Sequence, residues 1–136
     1  MPPTLDMNHA MIYSKDVAKS AAFYRDKLGF ELLEEYPAGA PMIYYARLRV
    51  PGSTSTIALH AVDRGAEVRT GGIRLYFEVR ALQKHCDKLV KAGVVFSKPP
   101  ALMPWGWRHA YLDDPDGHEI SFYTAGAKRL KKGKSM

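Results

Sequence analysis

The chain has 136 residues, of which 46% are hydrophobic and 25% are charged, and this fits one globular domain with its own core. No apolar run is long enough to span a bilayer, and residues 1–6 lack the pattern of a secretory signal. The single cysteine, Cys86, cannot form an internal disulfide, so we expect a reducing, cytoplasmic environment and a packing role for this thiol.

The positive charge is concentrated at the C-terminal end. The formal net charge is +6, but residues 125–136 carry five Lys or Arg and no acid, which leaves the body near neutral. A short basic tail could touch nucleic acid or an anionic surface, or it could be a solubilising terminus, which we favour. The body shows no basic face with interleaved aromatic residues. We therefore expect no nucleic-acid partner and no membrane partner.

The first half of the chain predicts a strand, a helix and three further strands. Asp16 can cap the helix, because its carboxylate can accept a free N–H of the first turn. Gly29 stands where a helix commonly ends on a left-handed residue. The five elements are predicted at residues 8–14, 17–28, 30–35, 42–50 and 54–62.

The second half repeats this order at an offset of about 65 residues. Its elements are predicted at residues 73–79, 82–92, 94–97, 107–112 and 119–123. Gly93 occupies the place of Gly29, and Pro99-Pro100 is expected to break the chain. The turn Asp114-Pro115-Asp116-Gly117 precedes the last strand, with His118 expected at the surface.

The repeat predicts an α+β fold of two tandem βαβββ modules, residues 8–62 and 73–124, in one domain of residues 1–124 followed by the tail 125–136. Each module has one helix for one sheet face. The free faces of two modules can line a shared cleft, which is the usual place for a small ligand.

Strand alternation predicts which side chains face that cleft. Trp105 and Trp107 lie in a loop at its mouth, where aromatic faces can stack on a flat ligand. Arg74 could bind an anionic group through its planar fork of donors, or pair with a carboxylate of the cleft. No role is predicted for His85 or His109. The candidate ligand-binding residues are His9, Tyr13, His60, Arg74, Tyr76, Trp105, Trp107, Ser121 and Tyr123.

Two passages resemble one family in detail. The first runs from His9 to Phe30 and carries Asp16, Ser20, Phe23-Tyr24 and Leu28-Gly29-Phe30 in register. The second runs from Trp105 to His118 and ends in the Asp-Pro-Asp-Gly turn. Together with the doubled module, they are similar to the vicinal oxygen chelate superfamily over residues 8–124. This group includes glyoxalase I, extradiol dioxygenases and bleomycin-resistance proteins, and the resemblance implies the glyoxalase/bleomycin resistance/dihydroxybiphenyl dioxygenase-like fold.

The resemblance also implies where a catalytic metal would bind. Metal enzymes of this superfamily use one cleft-facing ligand on each of four strands, and the matching positions here are His9, Ala58, Arg74 and Ser121. Of these, His9 is a usual ligand, whereas the Arg74 guanidinium has no lone pair to offer. A set of His9, His60 and Glu119 (or Glu78) could replace the usual ligands for Zn, Fe, Mn or Ni. We favour no metal and no other cofactor.

Two functions follow from the resemblance. The favoured one is a protein like the bleomycin-resistance proteins, which binds a small anionic or aromatic molecule in the intermodule cleft without a complete metal site. The alternative is a metal-dependent enzyme, either a glyoxalase I-like lyase or an extradiol-type dioxygenase acting on vicinal oxygens. The resemblance further implies a homodimer.

Overall fold

The computed structural model describes residues 3–125. The predicted basic tail, residues 125–136, lies outside the described residues apart from Ala125. The chain divides into two compact units, Met1–Gly71 and Gly72–Met136. Among residues 3–125, no helix has the length and apolar character that a membrane span requires.

The first unit is a four-stranded sheet with one short helix. Its elements are β1 (His9–Ser14), α1 (Val17–Ala22), β2 (Glu31–Tyr36), β3 (Tyr45–Arg49) and β4 (Thr56–Ala61). The strand order is β1-β4-β3-β2, and β1 runs parallel to β4 while the other neighbours are antiparallel. The predicted order of elements is therefore confirmed for the first half.

The helix of the first unit begins where the sequence predicts and is less regular than predicted. The Asp16 carboxylate accepts from the backbone N–H of Lys19 at 3.1 Å, so Asp16 is the N-cap. The α-helix ends at Ala22 and continues as a π-helical turn over Phe23–Lys27. Gly29 follows with φ of 79°. The π-turn therefore replaces the second half of the single helix predicted over residues 17–28.

The second unit repeats the arrangement. Its elements are β5 (Arg74–Glu78), α2 (Leu82–Lys91), β6 (Lys98–Leu102), β7 (Arg108–Asp113) and β8 (Glu119–Thr124). The strand order is β5-β8-β7-β6, with β5 parallel to β8. Leu82, Cys86 and Leu89 are the buried residues of α2, which packs against β6, β7 and β8. Two four-stranded units with this common order confirm the predicted α+β fold of paired modules.

The second strand of the second module, β6, begins four residues later than predicted. Residues 94–97 are irregular, and β6 contains Pro99 and Pro100, which the sequence suggested as a break. Because β6 is the edge strand of its sheet and its register with β7 shifts between Lys98 and Ala101, the missing N–H groups of the prolines cost few ladder bonds. The edge position therefore explains why the two prolines are tolerated within a strand.

The turn before β8 is more enclosed than predicted. One Asp114 carboxylate oxygen accepts from the backbone N–H groups of Asp116 and His118, each at 2.9 Å. His118 is 6% exposed, so the expectation of a surface histidine is wrong. The carboxylate organises the turn, because it satisfies two backbone donors that a tight turn leaves without partners.

Candidate functional site

The face of the first sheet opposite α1 carries both histidines predicted for the site. Register pairs His9 with Thr56 and Tyr13 with His60, and directly paired residues point to the same face. His9 and His60 therefore share a face but stand four residues apart along parallel strands, about 13 Å by strand rise. The exposed ring of His60 meets Tyr13 edge-to-face at 5.7 Å.

Both imidazoles are also engaged locally. His9 Nδ1 is 2.7 Å from the side-chain oxygen of Asn8, and His60 Nδ1 donates to the Ala61 carbonyl at 2.7 Å. Because the two rings lie about 13 Å apart by strand rise and have other partners, they do not coordinate one metal ion together in this sheet.

Strands β2 and β3 carry ion pairs on the same face. Arg47 Nε donates to the Glu34 carboxylate at 2.9 Å, and Arg49 pairs with Glu31. Arg47 also stands beside Ala58, which is fully buried. This face of the first sheet is thus charged along β2 and β3, and within each pair the glutamate neutralises the arginine.

The corresponding face of the second sheet is aromatic. Trp107 stacks on Tyr123 with ring centroids 5.3 Å apart, and His109 stacks on Tyr123 at 5.2 Å. Tyr76 meets the edges of His109 and Tyr123 at 5.7 and 6.0 Å. The face has two further aromatic members, Trp105 and Tyr111. Such a surface suits a planar ligand, because aromatic rings favour stacked or edge contacts.

His109 lies at the centre of this aromatic face and is 3% exposed. Its Nε2 lies 3.3 Å from Trp105 Nε1, and an indole nitrogen can only donate, so Nε2 accepts and carries no proton. The proton of the neutral ring is therefore on Nδ1, which donates to Ser121 Oγ at 3.0 Å. Burial lowers the pKa of His109 and so favours this neutral form.

Ser121 acts beneath the face rather than on it. It is fully buried, and its hydroxyl accepts from His109. The hydroxyl lies 3.5 Å from the Phe122 carbonyl, to which it can donate. This predicted ligand-binding residue holds the His109 tautomer, and through it the indole of Trp105.

Arg74 stands at one end of the aromatic face. Its Nε donates to the Glu119 carboxylate at 3.1 Å, across the paired first residues of β5 and β8. The Tyr76 side chain first, and then the Glu119 carboxylate, raise the pKa of Arg74 above its ordinary value. The Arg74 side chain is 58% exposed, so its remaining N–H donors can meet an anion. Both roles predicted for Arg74 are compatible with this geometry.

Tyr111 lies next to Arg74 on the same face. Burial first, and then the neighbouring Tyr76, raise the pKa of Tyr111. Its hydroxyl is therefore a protonated hydrogen-bond donor at neutral pH. The ammonium group of Lys98 lies 5.6 Å from the centroid of the Tyr111 ring, which is within cation–π range.

The residues at the four metal positions of the family do not fit a divalent cation. Register places His9 opposite Thr56 and Arg74 opposite Glu119, so His9 and Arg74 are equivalent, as are Ala58 and Ser121. These positions thus offer one imidazole, one methyl group, one guanidinium and one hydroxyl that is already bonded. Glu119 is held by Arg74. Within the described part of each unit, no three His, Cys, Asp or Glu side chains cluster as a metal site.

The sequence prediction missed His109 and Tyr111. Trp107, just before β7, alternates with His109 and Tyr111 within it, and this period of two is the signal that would have placed all three side chains on one face. Of the predicted residues, Arg74, Tyr76, Trp105, Trp107, Ser121 and Tyr123 come together in the second unit, whereas His9, Tyr13 and His60 share the face of the first sheet.

Comparison with known proteins identifies the family. The family model described as Glyoxalase/Bleomycin resistance protein/Dioxygenase superfamily matches residues 6–122. The chain belongs to this superfamily, which is consistent with the vicinal oxygen chelate resemblance of the sequence.

The individual proteins that resemble this chain share less than 30% of its sequence. A probable lactoylglutathione lyase of Synechocystis is 28% identical over 127 residues, which cover 89% of this chain and 96% of the relative. A superfamily member from Sphaerobacter thermophilus has a crystal structure with a TM-score of 0.72 and 27% identity, covering 90% of this chain and 98% of that one. A second structure, from Nocardioides, has a TM-score of 0.75 at 21% identity, covering 98% and 93%, and supports the fold alone.

Proposed function

We propose that this protein binds a small planar anion on the aromatic face of its second module, without help from a metal ion. The observation that carries the proposal is the stack of Trp107, Tyr123 and His109, with Tyr76 and Trp105 at its margins. A flat ring placed against this surface gains stacking contacts in addition to the burial of apolar area.

Arg74 supports the preference for an anion. Its Nε is committed to Glu119, and its remaining N–H donors belong to a half-exposed side chain beside the aromatic rings. A ligand carboxylate, phosphate or sulfonate there would form charge-assisted hydrogen bonds, which are stronger than neutral ones. The face therefore offers two kinds of recognition, stacking for the ring and a guanidinium for the acidic group.

The two tryptophans of the chain give a direct test, because both belong to this face. Tryptophan fluorescence is followed while the protein is titrated with 1-naphthoate, and separately with the uncharged 1-naphthylmethanol. We expect saturable changes with both probes and tighter binding of naphthoate. In Arg74→Gln, naphthoate should bind about tenfold more weakly, a loss of about 1.4 kcal/mol, while naphthylmethanol binding stays unchanged.

Arg49→Gln is the matched control, because Arg49 is also a half-exposed strand arginine paired with a glutamate, on the first sheet. Its affinity for naphthoate should equal that of the unmodified protein. Equal losses in the two variants would reduce the effect to net charge and would overturn the role of Arg74. No saturation with either probe at millimolar concentration would overturn the proposed binding face.

A second candidate function is a metal-dependent lyase, which is favoured by the similarity to the probable lactoylglutathione lyase. Elemental analysis of protein from metal-replete medium tests it. Stoichiometric Zn, Fe, Mn or Ni that disappears in His9→Ala would support the lyase and contradict metal-free binding.

We also propose a homodimer, and a monomeric mass in sedimentation at micromolar concentration would contradict it.

A further inference from the structure

A cavity of about 640 Å³ lies beside the helix of the second module, and side chains of residues 79–91 line it. The helix α2 covers the face of the sheet that carries Phe122. Because side chains alternate along a strand, Ser121 and Tyr123 point to the other face, where the aromatic site lies. The cavity and the aromatic site are therefore on opposite sides of one sheet, and the cavity has the size of a small-molecule site.

The lining of this cavity is strongly basic. Arg80 precedes the helix, and Lys84, Lys88 and Lys91 follow at helical spacings of four and three. In the described chain none of these four cations has an ion-pair partner. The acid of the lining, Asp87, accepts a hydrogen bond from the Gln83 side chain at 3.0 Å.

One residue that lines the cavity, His85, carries a buried polar atom without a partner. His85 Nε2 is enclosed and has no hydrogen-bond partner, and the ring packs edge-on against Phe122 at 4.6 Å. A buried nitrogen in this state lowers the stability of the fold, and native structures rarely keep one without a reason. Burial first, and then the charge of Lys88, lower the pKa of His85, so the ring is neutral at pH 7.

The N-terminus of α2 adds to the positive charge around the cavity. Ala81, the N-cap residue, gives no side-chain hydrogen bond, and the first turn contains no acid. The N–H groups of this turn and the positive end of the helix dipole are thus left without an anionic side chain, next to Arg80 and Lys84.

From these observations we infer a second ligand site, in which the cavity beside α2 binds the phosphate groups of a small phosphorylated molecule. Lys84 and Lys88 would contact the phosphate oxygens, and the His85 ring would turn so that its Nε2–H donates to a phosphate oxygen, a partner that the protein itself does not provide. A multiply charged phosphate ester fits better than a single carboxylate, because four cations surround the cavity.

The test uses the full chain and inorganic pyrophosphate as the probe, with isothermal titration calorimetry at fixed ionic strength. We expect saturable binding of pyrophosphate, weaker binding of orthophosphate, and at least a tenfold loss of pyrophosphate affinity in Lys88→Gln. The matched control is Lys19→Gln, which removes the same charge from an exposed position on α1 in the first unit. The control should bind pyrophosphate like the unmodified protein.

A second variant separates loss of the site from loss of the fold. His85→Phe keeps a ring against Phe122 and removes the nitrogen that lacks a partner, so the free protein should melt at an equal or higher temperature. The stabilisation that pyrophosphate gives should nevertheless disappear. Naphthoate binding should be the same with and without pyrophosphate, so failure of this site and failure of the aromatic site are distinguishable.

Three outcomes would overturn the inference. The first is the absence of saturable pyrophosphate binding at millimolar concentration. The second is an equal loss in Lys88→Gln and Lys19→Gln, which would reflect net charge alone. The third is binding of a single-stranded oligonucleotide without binding of pyrophosphate, which would make the basic surface a nucleic-acid contact.

Discussion

The buried imidazole of His109 should make the stability of the fold depend on pH. Burial lowers the pKa of His109, and the proton would have to enter at Nε2, where the N–H of Trp105 already points. The unfolded chain therefore takes up this proton more readily than the folded one. His85, whose pKa burial and Lys88 also lower, acts in the same direction. The contribution of these two histidines to the free energy of unfolding is fully present above about pH 6.5, the ordinary pKa of histidine. It is lost progressively as the pH decreases below that value.

The expected magnitude follows from linkage. Between its folded and unfolded pKa values, each histidine can reduce the free energy of unfolding by up to about 1.4 kcal/mol per pH unit. His109 and His85 together therefore give a limiting slope of about 2.8 kcal/mol per pH unit. The exposed pair of Asp26 with Arg25 adds its own dependence only near the ordinary carboxyl range, because its effect is a lowered pKa of Asp26.

His109→Phe isolates the contribution of this histidine. The substitution keeps an aromatic ring beside Trp107 and Tyr123, and the Ser121 hydroxyl retains the Phe122 carbonyl as a potential acceptor. Urea unfolding between pH 5 and pH 8 measures the slope, which should decrease by up to about 1.4 kcal/mol per pH unit below pH 6.5.

Tyr111→Phe is the control for this experiment, because it changes a neighbouring polar ring whose raised pKa lies far above the range measured. Its pH profile should keep the slope of the unmodified protein. An unchanged slope in His109→Phe would refute the buried neutral imidazole and, with it, the assigned tautomer.

Three further predictions concern other parts of the fold. Burial raises the pKa of the Cys86 thiol to about 11 from 9.0. Its reaction with a disulfide reagent at pH 8 should therefore be roughly 100-fold slower in the folded protein than in urea, and equal rates would contradict this. Asp16→Ala should reduce the free energy of unfolding by about 1 kcal/mol through loss of the bond to the Lys19 N–H, and an unchanged urea midpoint would show that the cap contributes nothing. Gly29→Ala should cost about 1–2 kcal/mol, because its φ of +79° disfavours a Cβ, whereas Gly71→Ala should be near neutral, and equal thermal shifts would contradict the strain argument.

Much of the fold was predictable because its signals are local. Asp16 begins a helix and Gly29 follows one because capping and left-handed φ are decided by a few neighbouring residues. The strand of Pro99 and Pro100 was not predictable in this way, since an edge position is a property of the whole sheet. The π-helical turn over Phe23–Lys27 likewise has no sequence signal in the apolar spacing.

The sequence predicted which side chains of the candidate site share a sheet face, but not the hydrogen bonds and ion pairs that they form. Alternation placed Arg74, Tyr76, Ser121 and Tyr123 on one face because register preserves the two-residue period. The role of His109 depends on two partners, from the loop before β7 and from β8, and such partners appear only once the strands are paired. Opposite charges in one sequence likewise do not indicate which carboxylate Arg74 will meet.

We propose above that an aromatic anion binds to the second module without a metal. The most direct measurement is the naphthoate titration on two samples of the full chain, one stripped with a chelator and one loaded with Zn, Fe, Mn or Ni. We predict the same Kd in both samples, with about a tenfold weaker Kd in Arg74→Gln. Naphthoate binding that requires the metal and is lost in His9→Ala would contradict the account.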